Sequence, residues 1–133
     1  MKILVGYNGE ESDRSVLEAA KSYAGLLKAQ VCVVNCMEQP NEVAVKEVDR
    51  MAKITKAFDD ITEEFNAAGI TCFTSLLVNR LTFGENIVKT ATEKKTDLII
   101  IGVRLRSKVG KLLFGSTAQF VILEAPCPVL TIK

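Results

Sequence analysis

Histidine is absent from this chain of 133 residues. Without imidazole there is no Ser-His or Cys-His nucleophile pair, no histidine general base and no histidine metal ligand, so most hydrolase mechanisms lose their usual base. Cysteine is scarce, with Cys32, Cys36, Cys72 and Cys127. No two of them show the two-residue spacing of a zinc knuckle or a thioredoxin-type redox motif. Cys32 and Cys36 share one face of a strand-like run but sit beyond disulfide reach, and all four are expected as buried small apolar residues. Neither sign of charge dominates, with 17 Lys and Arg against 16 Asp and Glu and a formal net charge of +1. The surface as a whole therefore offers no strong field to nucleic acid or membrane, and any basic site must be local. Purely apolar runs such as Leu98 to Ile101 fall far short of the ~20 residues of a membrane helix. Met1 leads almost directly into a strand-like run, without the pattern of a secretory signal, so the expected compartment is the cytoplasm.

The chain has the composition of an ordinary compact domain, 48% hydrophobic and 25% charged, and residues 1–133 are expected to form one. Strand-like runs at Ile3 to Tyr7, Val31 to Cys36, Thr71 to Val78, Leu98 to Ile101 and Val129 to Ile132 alternate with helix-like segments. Several runs are continuously apolar, as a parallel strand covered on both faces requires. The expected fold is α/β, a five-stranded parallel sheet with helices on both faces.

Ser12 is placed to cap a first helix in which Val16, Leu17, Ala20, Tyr23, Ala24 and Leu27 recur at helical spacing. Pro40 opens a longer charged segment whose stripe includes Val45, Val48, Ala52, Ile54, Ala57, Phe58, Ile61 and Phe65, with Gly69 as the residue that ends it. A third helix is expected from about Gly84 to Lys94 and a fourth from about Ser116 to Glu124. The segment from Val103 to Phe114 shows no clear element, and a structureless connection of that length points to a functional loop.

In an open parallel sheet the ligand crevice lies beyond the carboxyl ends of the strands. Gly6-Tyr7-Asn8-Gly9, Asn35-Cys36-Met37 and the stretch from Gly102 to Ser116 meet there. The last reads GVRLRSKVGKLLFGS, a glycine leaving a strand, four cations and a glycine before a helix start. Free N–H groups around Gly115, Ser116 and Thr117, with the positive end of the helix dipole, suit phosphate. The other reading is a tight turn at Gly115, a helix cap at Ser116, and Arg104, Arg106, Lys108 and Lys111 as a solvated loop. A Walker A motif fails because Leu112 follows Gly110-Lys111, and Gly6 and Gly9 do not fit a GxGxxG.

The opening strand into Gly-Glu-Glu-Ser, the closing Gly-Ser-Thr-Ala and the run Ala-Pro-Cys-Pro-Val-Leu resemble the universal stress protein family over essentially the whole chain. That resemblance implies a Rossmann-like fold of the wider adenine-nucleotide α-hydrolase group. The family signature is Gly, two residues, Gly, nine residues, Gly, then Ser or Thr. Gly102, Gly115 and Ser116 match it, and Leu105 replaces the second glycine, placing a side chain where nucleotide-binding members bring bare backbone to phosphate. Asn8 stands where the family usually has Asp. The resemblance further implies that the backbone at Cys36 meets adenine and that Ile101 walls the pocket. Gly6 and Tyr7 lead into that pocket, while Arg104 and Arg106 add cationic donors to the phosphate loop. Family members commonly dimerise through the last strand, here Val129, Leu130, Thr131 and Ile132, and an exposed apolar edge independently favours such pairing.

The expected function is a homodimeric stress-response or regulatory module that binds ATP or AMP, with or without Mg2+. It is not expected to be an enzyme, since no base or magnesium-holding carboxylate pair is evident, although slow hydrolysis by a positioned water stays open. The alternative is a member without nucleotide that binds a protein partner, favoured by Leu105 and Asn8. The chain lacks the SGGxDS loop and the histidine-rich signature of α-hydrolase enzymes. It also lacks interleaved aromatics for stacking nucleic acid.

Overall fold

The structure is a computed structural model that describes residues 1–10, 13–39, 44–103 and 115–133. Its elements follow the order β1 (Lys2–Gly6), α1 (Asp13–Leu27), β2 (Gln30–Glu38), α2 (Val45–Ala67), β3 (Cys72–Asn79), α3 (Phe83–Glu93), β4 (Leu98–Gly102), α4 (Ser116–Glu124) and β5 (Val129–Ile132). The strands form one 5-stranded sheet in the order β3-β2-β1-β4-β5, and every pairing is parallel. The five-stranded parallel α/β expectation therefore holds.

Alternation along each strand divides the interior into two apolar layers. Ile3, Val5, Val31, Val33 and Ile100 point to one face, where Val16, Leu17, Ala20 and Ala24 of α1 and Ile54, Phe58, Ile61 and Phe65 of α2 cover them. Leu4, Val34, Ile99 and Ile101 point to the other, beneath Ile87 and Ala91 of α3 and Ala118 and Val121 of α4. Burying each of the Val, Leu, Ile and Phe side chains among them contributes about 1.5–3 kcal/mol. The continuous apolar runs of β1 and β4 follow from this two-sided cover.

Local chemistry sets the element ends. Gly69 adopts φ +77° just past α2, a conformation costly for a side chain. Its N–H bonds the Asn66 carbonyl and that of Ile70 the Phe65 carbonyl, closing the helix. Thr82 and Glu85 form a reciprocal capping box that starts α3. The expected start of the second helix at Pro40 and the Ser12 cap lie outside the described residues. β2 runs two residues past Cys36, the expected end of that strand.

The cysteines correct an expectation. Only Cys72 is fully buried, its thiol pushed up to about 11 chiefly by burial, while Cys32, Cys36 and Cys127 are half-buried. For Cys32 and Cys36 the reason lies in coverage, since the face of β2 that bears them is only partly roofed by α3, while Cys127 lies in the connection between α4 and β5.

Candidate functional site

At the carboxyl edge β1 stops early. Gly6 pairs with Val34, and the Tyr7 N–H still reaches the Val34 carbonyl at 2.9 Å. Asn8 then leaves the sheet, and Gly9 takes φ +80° to turn the chain toward α1. A buried carboxylate holds this turn, because Oδ2 of Asp13 accepts the Asn8 N–H at 2.8 Å and the Glu10 N–H at 2.9 Å. Burial raises the Asp13 carboxyl above its ordinary range against the pull of these amides, and burial followed by the Asp13 charge raises the Tyr7 hydroxyl. Tyr7 packs on Phe58 with ring centroids 6.1 Å apart, which keeps it on the α1/α2 side.

β2 continues to Glu38 beside β3, past the last β1 partner. Val34 turns its carbonyl toward β1, so by alternation Cys36 turns its own N–H and carbonyl the same way, into the gap that β1 has left. The Asn35 carboxamide takes that N–H at 2.8 Å, leaving the carbonyl as the group facing the gap. The Cys36 thiol is pushed up mainly by burial, against a hydrogen bond from Asn86. Asn86 is itself locked to Asn79 through bonds of 2.8 and 3.1 Å, which ties the ends of β2 and β3 to the start of α3.

The end of β4 completes the crevice. Gly102 has α1 against it: a Cβ there would lie 3.1 Å from Val16 Cγ2. Gly6 is equally confined, its absent Cβ falling 3.0 Å from Ile87 Cδ1 and 3.2 Å from Ile101 Cγ2. Gly115 differs, having φ −62° and no described atom within 4 Å of a Cβ. Neither its backbone angle nor any described neighbour requires glycine there.

Helix starts gather at this edge because each helix follows a parallel strand. α1 carries Asp13 in its first turn, α2 carries Glu47, and α3 is closed by its capping box. Among the described residues α4 alone begins with neither an acidic residue in its first turn nor a side-chain cap. A helix start of this kind, with first-turn N–H groups that no described side chain caps, favours an anion.

The structure thus brings Gly6, Tyr7, Asn8, Cys36, Gly102, Gly115, Ser116 and Thr117 to one edge of the sheet, with Asn8, Gly102, Gly115 and Ser116 exposed. Ile101 is 3% exposed, its side chain inside the apolar layer under α3 and α4. Arg104, Leu105 and Arg106 lie outside the described residues. Val129, Leu130, Thr131 and Ile132 form β5, half-buried at the sheet edge. Sequence reasoning missed Asp13 and the lock from Asn35 to Cys36. A helix-starting Asp five residues after Asn8 was the available signal for the first. No group of His, Cys, Asp and Glu able to hold a metal ion occurs among the described residues, and no helix is long and apolar enough to cross a membrane.

The model of the universal stress protein family matches residues 1–133. A protein of Thermus aquaticus described as "Universal stress protein in QAH/OAS sulfhydrylase 3'region" is 30% identical over 140 aligned residues, covering 98% of this chain and 97% of its own. A universal stress protein structure from Archaeoglobus fulgidus superposes with a TM-score of 0.84 at 30% identity, covering 100% of this chain and 98% of that one. A second structure from that organism, in complex with dAMP, gives a TM-score of 0.80 at 25% identity, again over 100% of this chain and 98% of its own. Its sequence, its doubly covered parallel sheet and these likenesses agree: the chain belongs to the universal stress protein family.

Proposed function

We propose that the protein binds an adenine nucleotide in the crevice between the ends of β1, β2 and β4, and that it works as a homodimeric regulatory module without rapid turnover. The observation that carries this reading is the start of α4. Among the described residues, Gly115, Ser116 and Thr117 present a helix terminus with no side-chain cap and no acidic residue in its first turn, and nothing lies within 4 Å of a Cβ at Gly115, whereas α1, α2 and α3 each carry an acidic residue in their first turn. Phosphate binds there through backbone N–H groups and the Ser116 and Thr117 hydroxyls. Adenine is accommodated at the β2 end, where the Cys36 carbonyl accepts from its amino group and the Asn8 carboxamide serves the sugar. The A. fulgidus relative in complex with dAMP supports the ligand class. ATP and AMP are the ligands proposed, with Mg2+ accompanying the triphosphate. Pairing of β5 edges is supported by the apolar residues that α4 exposes beside it, Leu123 at 72% and Ile122 at 45%.

Thermal denaturation with millimolar AMP, ATP, ATP with Mg2+, and GTP tests the reading. A ligand at a hundred times its Kd stabilises the fold by about 2.7 kcal/mol, so a selective rise in Tm with adenine nucleotides is expected. Replacing Ser116 and Thr117 by Ala is expected to shrink it. An AMP-only rise would place Leu105 in the way of the outer phosphates. No rise with any nucleotide overturns the proposal in favour of a protein-binding module, the reading that Leu105 and the exposed α4 face favour.

A further inference from the structure

Asp13 is the single carboxylate in the interior of the described structure, 4% exposed. Its neighbour Arg14 turns away to Glu18 and Glu64, and the groups that Asp13 does engage are backbone amides, those of Asn8 at 2.8 Å and Glu10 at 2.9 Å together with that of Gly9. Burial raises its carboxyl above the usual range, so the ionised form is held at a cost to folding. Asparagine has the same shape, accepts the Asn8 and Glu10 N–H groups through one oxygen and carries no charge to desolvate. The amides and the positive end of α1 offset part of that cost, which leaves room for a second reason for the charge.

The position supplies one. Val16, one turn beyond Asp13, lies against Gly102, so the first turn of α1 borders the same crevice as the end of β4. Two helix starts flank that crevice with opposite character, α1 filled by its own anion and α4 with neither a side-chain cap nor an acidic first-turn residue among the described residues. The amides of Asn8 and Glu10 are the donors that an outside anion would use at the β1 end, and Asp13 already occupies them.

We infer that Asp13 is a specificity-determining residue of the nucleotide site: its carboxylate fills the amide cradle at the start of α1, excludes a second anionic group there, and confines phosphate to the start of α4. This rests on the nucleotide-binding reading and sharpens it, since the part of the ligand lying along β1 must then be uncharged. A 5′-phosphorylated adenosine satisfies the condition, and a nucleotide bearing a further phosphate on its ribose does not.

Calorimetric titration of the full chain and of Asp13→Asn with AMP and with adenosine 3′,5′-bisphosphate tests it. The native protein is expected to prefer AMP on the order of tenfold, from charge repulsion across a partly screened gap, and Asp13→Asn to reduce the preference to about twofold. The Tm of Asp13→Asn without ligand is expected to hold or rise. A purely structural Asp13 predicts the opposite pattern, a lower Tm with the preference intact, and that result overturns the inference. If the native protein binds neither nucleotide, the nucleotide reading has failed and inorganic phosphate decides the role of Asp13 alone. Phosphate is then expected to shift the Asn8 and Glu10 amide resonances in Asp13→Ala but not in the native protein. Resonances unmoved in Asp13→Ala, or moved equally in both, overturn the proposal.

Discussion

Three glycines at the crevice look alike in the sequence and differ in what surrounds them. A methyl group at Gly6 or Gly102 would press tightly on Ile87, Ile101 or Val16, whereas at Gly115 it would meet none of the described residues. Gly6→Ala is therefore expected to destabilise the fold by about 1–3 kcal/mol through overpacking. Gly115→Ala is expected to cost less than about 1 kcal/mol, the range of a changed N-cap residue, while weakening the nucleotide-dependent rise in Tm. Urea unfolding midpoints with and without AMP separate the two effects. The sequence pattern marked all three positions but not this distinction, because the neighbours that confine Gly6 and Gly102 lie far away along the chain. Asp13 escaped for a related reason: its partners are backbone amides, which every residue around it carries.

At the scale of elements, α1 and α2 are joined across their outer surface by a charge cluster. Glu64 receives Arg14 and, at 2.5 Å, Lys21, while Glu18 receives Arg14 and, at 3.2 Å, Lys21. The Arg14 and Lys21 hydrogen bonds hold the Glu64 carboxyl at about 2, below its ordinary 4.5. A carboxyl lowered in the folded state stabilises it above the unfolded value, and that contribution fades as pH falls from about 4.5 toward about 2. Glu64→Gln is therefore expected to lower stability by about 0.5–1 kcal/mol at pH 7, the range of exposed pairs. The difference should vanish near pH 2 and shrink in 1 M salt, as parallel urea titrations can establish. Thr82→Ala removes one half of the α3 capping box and is expected to cost about 1 kcal/mol, read in the same way. Element types were legible because apolar spacing is a local property. The extension of β2 to Glu38 was not, since its last residues are held in the sheet by pairing with β3.

At the scale of the molecule, the doubly covered parallel sheet could be read from uninterrupted runs such as Leu98 to Ile101. The strand order could not, because it depends on pairings between distant segments. That order leaves β3 and β5 at the edges. Ile132 and Pro128 direct their carbonyls to β4, so Thr131 directs its backbone outward by alternation. Thr131→Pro removes a donor from this free edge and leaves the bonds to β4 intact. Sedimentation velocity is expected to show a dimer for the native chain and a monomer for Thr131→Pro, and equal sizes for both would exclude β5 as the joint. The central position of β1 has a further consequence, in the order of assembly. It meets β2 soon after synthesis begins, but its other neighbour is some 95 residues downstream, the separation already spanned by the bond from Lys2 to Asp97. On the ribosome β1, α1, β2, α2 and β3 can gather around one layer of the core, while the other side of β1 stays unpaired until β4 emerges and the second layer stays unroofed until α4 follows. The crevice draws its walls from both batches, so a ligand held between them would recognise only a finished chain, and binding of the proposed nucleotide would hold that chain against a return to its half-built form.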